Sequence, residues 1–159
     1  MIVAIFEDDG YENFLPLTYT RPVFELRSGM LSLRERAEKA FHDHRIVLFT
    51  RDYLAPTLRR RVHTSVNRLE ALDDDVLMVN ATLSVNEKTK ELIRKKLAKN
   101  VVIAQRESIT LAHVDEKIAR RELGQPLSRV TLKRLRKECK FLKTTDTPLM
   151  EFPWDLVNN

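Results

Sequence analysis

Ile2-Val3-Ala4-Ile5-Phe6 runs directly into Glu7-Asp8-Asp9-Gly10-Tyr11-Glu12-Asn13. The first segment is β-branched and aromatic with no polar alternation, the pattern of a strand covered on both faces. The second is polar, and Leu15-Pro16-Leu17-Thr18-Tyr19-Thr20-Arg21-Pro22 follows it. Prolines at 16 and 22 bar a regular helix, so a long non-helical loop is expected after the first strand. Loops of that length are uncommon in compact domains and are often functional.

Outward from this point the chain alternates strands with helices. Ser32-Leu33-Arg34-Glu35 fits a capping box, and Met30, Leu33, Ala37, Ala40 and Phe41 then recur at helical spacing. Ile46 to Phe49 reads as a second strand, and Asp52 to Arg61 as a shorter helix limited by Pro56. Val76 to Val79 is a third strand, entered from the acidic turn Asp73-Asp74-Asp75. Ser84-Val85-Asn86-Glu87 repeats the capping-box pattern ahead of Leu92, Ile93 and Leu97, and Lys95, Lys96 and Lys99 crowd that helix's end, where cations complement its dipole. Val101 to Ala104 and Ile109 to Ala112 read as two more strands. A helix near Asp115 to Leu123, a break at Gly124-Gln125-Pro126 and a helix from about Ser128 to Lys140 complete the pattern. Leu132, Leu135 and Cys139 share a face of that last helix, which makes Cys139 a packed thiol.

This order predicts an α/β fold, a mostly parallel sheet with helices on both faces, three layers in all. In such sheets ligands sit beyond the carboxyl ends of the strands. The loop after Phe6 and the segment after Val79 occupy that position.

The composition narrows the class. A chain of 159 residues with 43% hydrophobic and 32% charged residues can bury a core, which rules out disorder. One domain spanning 1–159 is expected, either a whole chain or the N-terminal part of a longer one. The longest apolar run, Met1 to Phe6, is far too short to cross a membrane and meets acids directly, unlike a secretory signal. A lone cysteine excludes an internal disulfide. We therefore expect a soluble, cytoplasmic protein. Of the net charge of +5, the first half carries a negative share and the residues after 80 a positive one. A basic half attracts polyanions, and it equally fits a solvated lysine-rich surface. Arg59-Arg60-Arg61 and Lys133-Arg134-Leu135-Arg136-Lys137 contain no interleaved aromatic for base stacking, so a small nucleic-acid-binding domain rests on composition alone. The three glycines exclude a G-x-G-x-x-G loop and a P-loop. His42, His44, His63 and His113 have no metal-ligand spacing.

Two groups of residues remain as candidates for chemistry. Glu7, Asp8, Asp9 and Glu12 stand at a strand end, where carboxylates can hold Mg²⁺, and Arg21 and Arg27 follow as bidentate donors for phosphate. The same residues also fit a solvated acidic turn with surface arginines. Asn80 ends the third strand, where an amide can bond a base, a sugar hydroxyl or a metal-bound water, or cap a turn.

The Pro16-Leu17-Thr18-Tyr19-Thr20-Arg21-Pro22 segment after an apolar strand resembles the P-L-T-x-x-R-P of sugar-1-phosphate nucleotidylyltransferases. With Phe6-Glu7-Asp8-Asp9-Gly10 and Leu26 to Glu35, it is similar to a divergent branch of that family, found fused to left-handed β-helix acyltransferase domains and related to UDP-N-acetylglucosamine diphosphorylases. Val79-Asn80-Ala81-Thr82-Leu83 and Phe152-Pro153-Trp154-Asp155-Leu156 are also similar to that branch.

The resemblance implies a three-layer, Rossmann-like nucleotidyltransferase fold and a Mg²⁺-dependent displacement. A sugar 1-phosphate attacks the α-phosphorus of a nucleoside triphosphate, giving a nucleotide sugar and pyrophosphate. It implies Arg21 and Arg27 as catalytic phosphate ligands, Gly10, Arg21 and Asn80 for nucleotide or sugar, and Asp9 for the metal. The chain departs from the family's pattern at three places: a single glycine in Asp8 to Asn13, Val23 in place of lysine, and Asn80-Ala81 in place of Gly-Asp. A non-catalytic domain that binds nucleotide sugar or supports a partner is therefore the alternative. Phe152 to Leu156 reads as a helix start with Pro153 in the first turn, too short to persist without packing. Trp154 then docks on its own domain or on a partner, and we expect self-association or a β-helix acyltransferase partner.

Overall fold

The computed structural model describes residues 1–125, 129–143 and 147–158, with side chains left undescribed at 94–96, 129–130 and 158. Pro126, Ser128 and the side chains of Lys95 and Lys96, singled out above, lie outside the described residues.

Strands are β1 (Ile2–Phe6), β2 (Arg27–Ser28), β3 (Leu31–Ser32), β4 (Arg45–Phe49), β5 (Ser65–Val66), β6 (Val76–Asn80), β7 (Val101–Gln105), β8 (Ser108–Val114) and β9 (Lys140–Leu142). Helices are α1 (Leu33–Ala40), α2 (Ala55–Arg59), α3 (Glu87–Lys96), α4 (Glu116–Leu123), α5 (Arg129–Glu138) and α6 (Asp155–Asn158). Seven strands form one sheet in the order β5-β4-β1-β6-β8-β7-β9. Only β8 runs against the rest, pairing antiparallel with both β6 and β7. The expected mostly parallel α/β sheet is observed.

β1 lies inside the sheet, between β4 and β6, and its five apolar residues suit a strand covered on both faces. Val3 and Ile5 point into a core with α1, α2 and Leu92 of α3. Ile2, Ala4 and Phe6 point into a second core with Ile118, Ala119 and Leu123 of α4 and Leu132 and Leu135 of α5. The sheet is thus the middle of three layers. From β1 the chain moves to β4 and β5 on one side, then crosses to β6 on the other. Registers Phe6↔Phe49 and Phe6↔Asn80 align the carboxyl ends of β4, β1 and β6. This is the switch point where open α/β sheets bind ligands.

Local chemistry accounts for the helix starts. At α1 the Ser32 hydroxyl accepts from the Glu35 amide and Glu35 bonds back to the Ser32 amide, the reciprocal box anticipated from sequence. At α3 the cap is Asn86, which accepts from the Thr89 amide at 3.0 Å, and not Ser84. An Asn one residue before the helix meets the same free amides with a shorter reach. The loop after β1 is not wholly irregular: 3₁₀ turns cover Asp9–Phe14 and Val23–Glu25, while the proline-bearing stretch between them stays non-helical. The helix expected over Asp52 to Arg61 contracts to Ala55–Arg59, with Pro56 in its first turn. Lys99 lies beyond α3 and pairs with Asp75 at 2.7 Å instead of capping the helix.

Leu132 and Leu135 are buried and Cys139 packs beside them. Burial pushes the Cys139 thiol's pKa above the ordinary cysteine value, in keeping with a thiol packed beside the core. The terminal helix begins at Asp155, whose carboxylate accepts from the Glu151 and Phe152 amides. Pro153 therefore precedes it and does not sit in its first turn. Among the described residues, no helix is long and apolar enough to cross a membrane.

Candidate functional site

Polar residues directly follow β1, β4 and β5 at this end of the sheet. Glu7, Asp8 and Asp9 come from β1, Thr50, Arg51 and Asp52 from β4, and Asn67 from β5. With Tyr11, Glu12 and the Leu123-Gly124-Gln125 end of α4 they line a pocket of about 370 Å³.

Asn67 closes one wall. Its backbone is left-handed, with φ of 49°, a conformation Asn tolerates better than most residues. Its side-chain amide accepts from the Thr50 amide at 2.9 Å and donates to the Thr50 carbonyl at 2.8 Å, copying a strand's pairing beyond the end of β4.

Glu7 and Arg51 form the densest contact set. The Glu7 side chain is 2% exposed and the Arg51 side chain 14%. Glu7 accepts from the Val23 amide at 2.6 Å, from the Thr50 hydroxyl and from Arg51. Arg51 also donates to the Thr18 carbonyl at 2.8 Å and the Arg21 carbonyl at 3.1 Å. Its guanidinium lies 3.9 Å from the Tyr11 ring centre, a cation–π contact.

Asp8 joins β1 to β6. Its carboxylate accepts from the Asn80 side chain at 2.9 Å and from the Gly10 amide at 3.0 Å. A Cβ on residue 10 would stand 2.8 Å from an Asp8 carboxylate oxygen, so a larger residue there would push that side chain aside. Burial raises the Asp8 pKa, the bonds from Asn80 and Gly10 offset part of that, and the Asp9 charge adds to the rise. Asn80 gives its second amide hydrogen to the Ile109 carbonyl, and its oxygen accepts from the Thr82 amide and hydroxyl. Its amide is thus committed to orienting Asp8 and the turn after β6.

Of the residues singled out from sequence, Asp9 lines the pocket, and Gly10 and Asn80 hold Asp8 in its wall. Arg21 is exposed on the neighbouring loop, tied by its carbonyl to Arg51. Arg27 lies in the β2–β3 ribbon and donates to the Met30 carbonyl at 2.9 Å, away from the pocket lining. Arg51 and Asn67 escaped the sequence reading, and their only signal was position, just past strands β4 and β5. Among the described residues no three His, Cys, Asp or Glu side chains converge as a ready metal cage. Mg²⁺ does not require one, since it is commonly held by one or two carboxylates together with substrate phosphates. The hard oxygen donors Asp9, Glu12 and Asp52 fit that chemistry.

A larger, open groove of about 1070 Å³ lies at the ends of β7 and β9, lined by Arg106, Arg136, Lys143 and Leu149 among others. Its acid, Glu151, is paired with Arg106. It lacks the convergence of strand-end side chains that marks the smaller pocket. Between the two, residues 82–84 pair with 148–150: Leu83 bridges Leu149, and the Met150 amide donates to the Thr82 carbonyl at 2.9 Å. Phe152 and Trp154 follow, stacked at 4.8 Å, with Trp154 60% exposed.

Comparison with solved structures finds similar chains. A protein assigned as a glucose-1-phosphate thymidylyltransferase from Bacillus anthracis, crystallised with sucrose, superposes with a TM-score of 0.51 at 12% identity, over 95% of this chain and 89% of that one. A nucleoside-diphosphate-sugar pyrophosphorylase from Vibrio cholerae RC9 gives 0.46 at 10% identity, over 99% and 100%. No curated protein sequence gives a significant match. The sequence profile of one family, described as sugar nucleotidyl transferase, matches residues 3–159, which takes in every element around the pocket. With nearly its whole length matched, the chain belongs to the sugar nucleotidyl transferase family.

Proposed function

We propose that this domain is a sugar-1-phosphate nucleotidyltransferase working at the pocket beyond β1, β4 and β5. In the reaction a phosphate oxygen of the sugar 1-phosphate attacks the α-phosphorus of a nucleoside triphosphate, the bond to the β-phosphate breaks, and pyrophosphate leaves. The observation that carries this reading is the placement of the pocket at the sheet's switch point, in a chain that belongs to this family. The carboxylates around the pocket would repel a bare triphosphate. Asp9 would hold Mg²⁺ there, and a bound Mg²⁺ supplies charge neutralisation and Lewis acidity at the phosphates. Arg21 and Arg27 are assigned to phosphate oxygens as cationic, bidentate donors, Arg27 only once its guanidinium leaves the Met30 carbonyl. Gly10 and Asn80 are assigned to the nucleotide or sugar through Asp8, the pocket carboxylate that both of them orient.

One observation favours the non-catalytic alternative. Arg51 and Asn80, the polar side chains best fixed near β1, direct their donors into the protein. Turnover decides between the two. Nucleoside triphosphates and sugar 1-phosphates assayed in pairs with Mg²⁺ should yield pyrophosphate, and Asp9→Asn should abolish the metal response with the fold intact. A chain whose melting temperature rises with nucleotide sugars, but which releases no pyrophosphate from any pair, is the binding domain instead.

We also propose that the exposed Phe152–Trp154 stack meets a partner, either a second copy or a β-helix acyltransferase domain. A tryptophan this exposed on a rigid stack supports that reading. Light scattering of wild type and Trp154→Ser tests the first option, and co-purification with a β-helix acyltransferase the second.

A further inference from the structure

We infer that Arg51, braced by Glu7, is a positioning residue that sets where the Thr18-to-Val23 segment presents the Arg21 guanidinium, an inference that rests on the reading of Arg21 as a phosphate ligand. Hydrophobic burial fixes the ends of this loop, at Phe14 and at Pro22 and Val23, but not the stretch between them. Leu15, Pro16, Leu17, Tyr19, Thr20 and Arg21 are all exposed. A polar clamp holds it instead. Arg51 grips the Thr18 and Arg21 carbonyls, while Glu7 grips the Val23 amide. The Thr18 hydroxyl, itself buried, donates to the Tyr11 carbonyl, and the Tyr11 ring lies against Arg51. Both halves of the clamp are anchored in the sheet. Glu7 directly follows β1 and Arg51 stands two residues past β4, and these strands are locked at Phe6↔Phe49.

The chemistry requires arginine. A planar guanidinium serves a carboxylate and two carbonyls together, whereas an ammonium offers a point charge without that fork. Arg51 is not itself a phosphate ligand, because its donors are directed at protein acceptors. It acts through the backbone of residue 21.

The test uses the full chain, with Mg²⁺ and pyrophosphate as the probe, since pyrophosphate is common to every base and sugar. Arg51→Lys should weaken pyrophosphate binding about tenfold by titration calorimetry, and Arg21→Ala should do at least as much. The double variant should bind no more weakly than Arg21→Ala alone, because one residue acts through the other. Hydrogen exchange at the Tyr19, Thr20, Arg21 and Val23 amides should quicken in Arg51→Lys and stay unchanged in Arg21→Ala. Multiplied affinity losses in the double variant, or wild-type affinity in Arg51→Lys, would overturn the inference. Should Arg51→Lys not fold, Glu7→Gln takes its place, since it keeps an acceptor for the Val23 amide. If the wild-type chain binds no pyrophosphate, the proposed function fails by itself. The clamp is then judged on exchange alone, and unchanged rates at residues 19–23 in Arg51→Lys defeat it.

Discussion

Glu7 and Glu122 are two buried glutamates braced by arginine, and they hold different kinds of structure. The Glu122 side chain is fully buried and bridges Arg121 at 2.7 Å and Arg134 at 2.8 Å, stapling α4 to α5. Those helices already meet through Ile118, Ala119, Leu123, Leu132 and Leu135. Both arginines stay more than a third exposed, so each can turn to water if the bridge is lost. Glu7 faces the opposite situation. The Arg51 side chain is only 14% exposed, and the loop it holds leaves Leu15, Leu17 and Tyr19 exposed and has no helix to dock. A buried charge pair is weak evidence for net stability, but breaking it from one side is costly where the survivor cannot reach solvent. Glu122 adds to a packing already secured, whereas Glu7 holds a loop whose apolar anchors, Phe14 and Val23, lie only at its ends.

The contrast can be broken by mutation, beginning where the largest effect is expected. Glu7→Ala should cost about 3–5 kcal/mol by urea denaturation, because it strands the Arg51 guanidinium and orphans the Val23 amide. A loss below about 1 kcal/mol would show that the loop is held by something else. Glu122→Gln should cost about 1–2 kcal/mol, since an amide keeps one acceptor and the half-exposed arginines regain water. A loss equal to that of Glu7→Ala would erase the distinction. Ser32→Ala supplies a local ruler: removal of one side of the α1 capping box should cost about 1 kcal/mol and leave both glutamates undisturbed.

The smallest effect concerns pH. Burial raises the Asp8 pKa above its ordinary 3.8, so between that value and the raised one the folded chain binds more protons than the unfolded chain. The contribution of Asp8 to stability therefore declines as pH rises through this window. Urea midpoints measured from about pH 4 upward should fall less steeply in Asp8→Ala than in wild type, whatever the offset between the two curves. Parallel curves would mean that Asp8 titrates normally.

The regions differ also in how they can be read in advance. The α1 capping box was legible because its partners are three residues apart, and β1, β4 and β6 because their apolar runs are continuous. The Asn86 cap was misread in favour of Ser84 because two capping residues stand close together and only the backbone path chooses between them. The short strands β5 and β9 were missed since two or three residues carry no period. In the site, the carboxylates after β1 and Asn80 at the end of β6 were legible as strand-end polar residues. Arg51 and Asn67 were not, because their partners lie 44 and 17 positions away.

By itself, the sequence determined the alternation of strand and helix, the central buried strand and the polar loop at its carboxyl end. These follow from local periodicity and from where apolar runs stop. The tertiary structure decided the rest: that Glu7 meets Arg51, that Asp8 meets Asn80 across 72 residues, and that Arg27 turns away to the Met30 carbonyl. A charged side chain's partner depends on which strand ends are brought side by side, and that is set by sheet order and register, which no local pattern encodes.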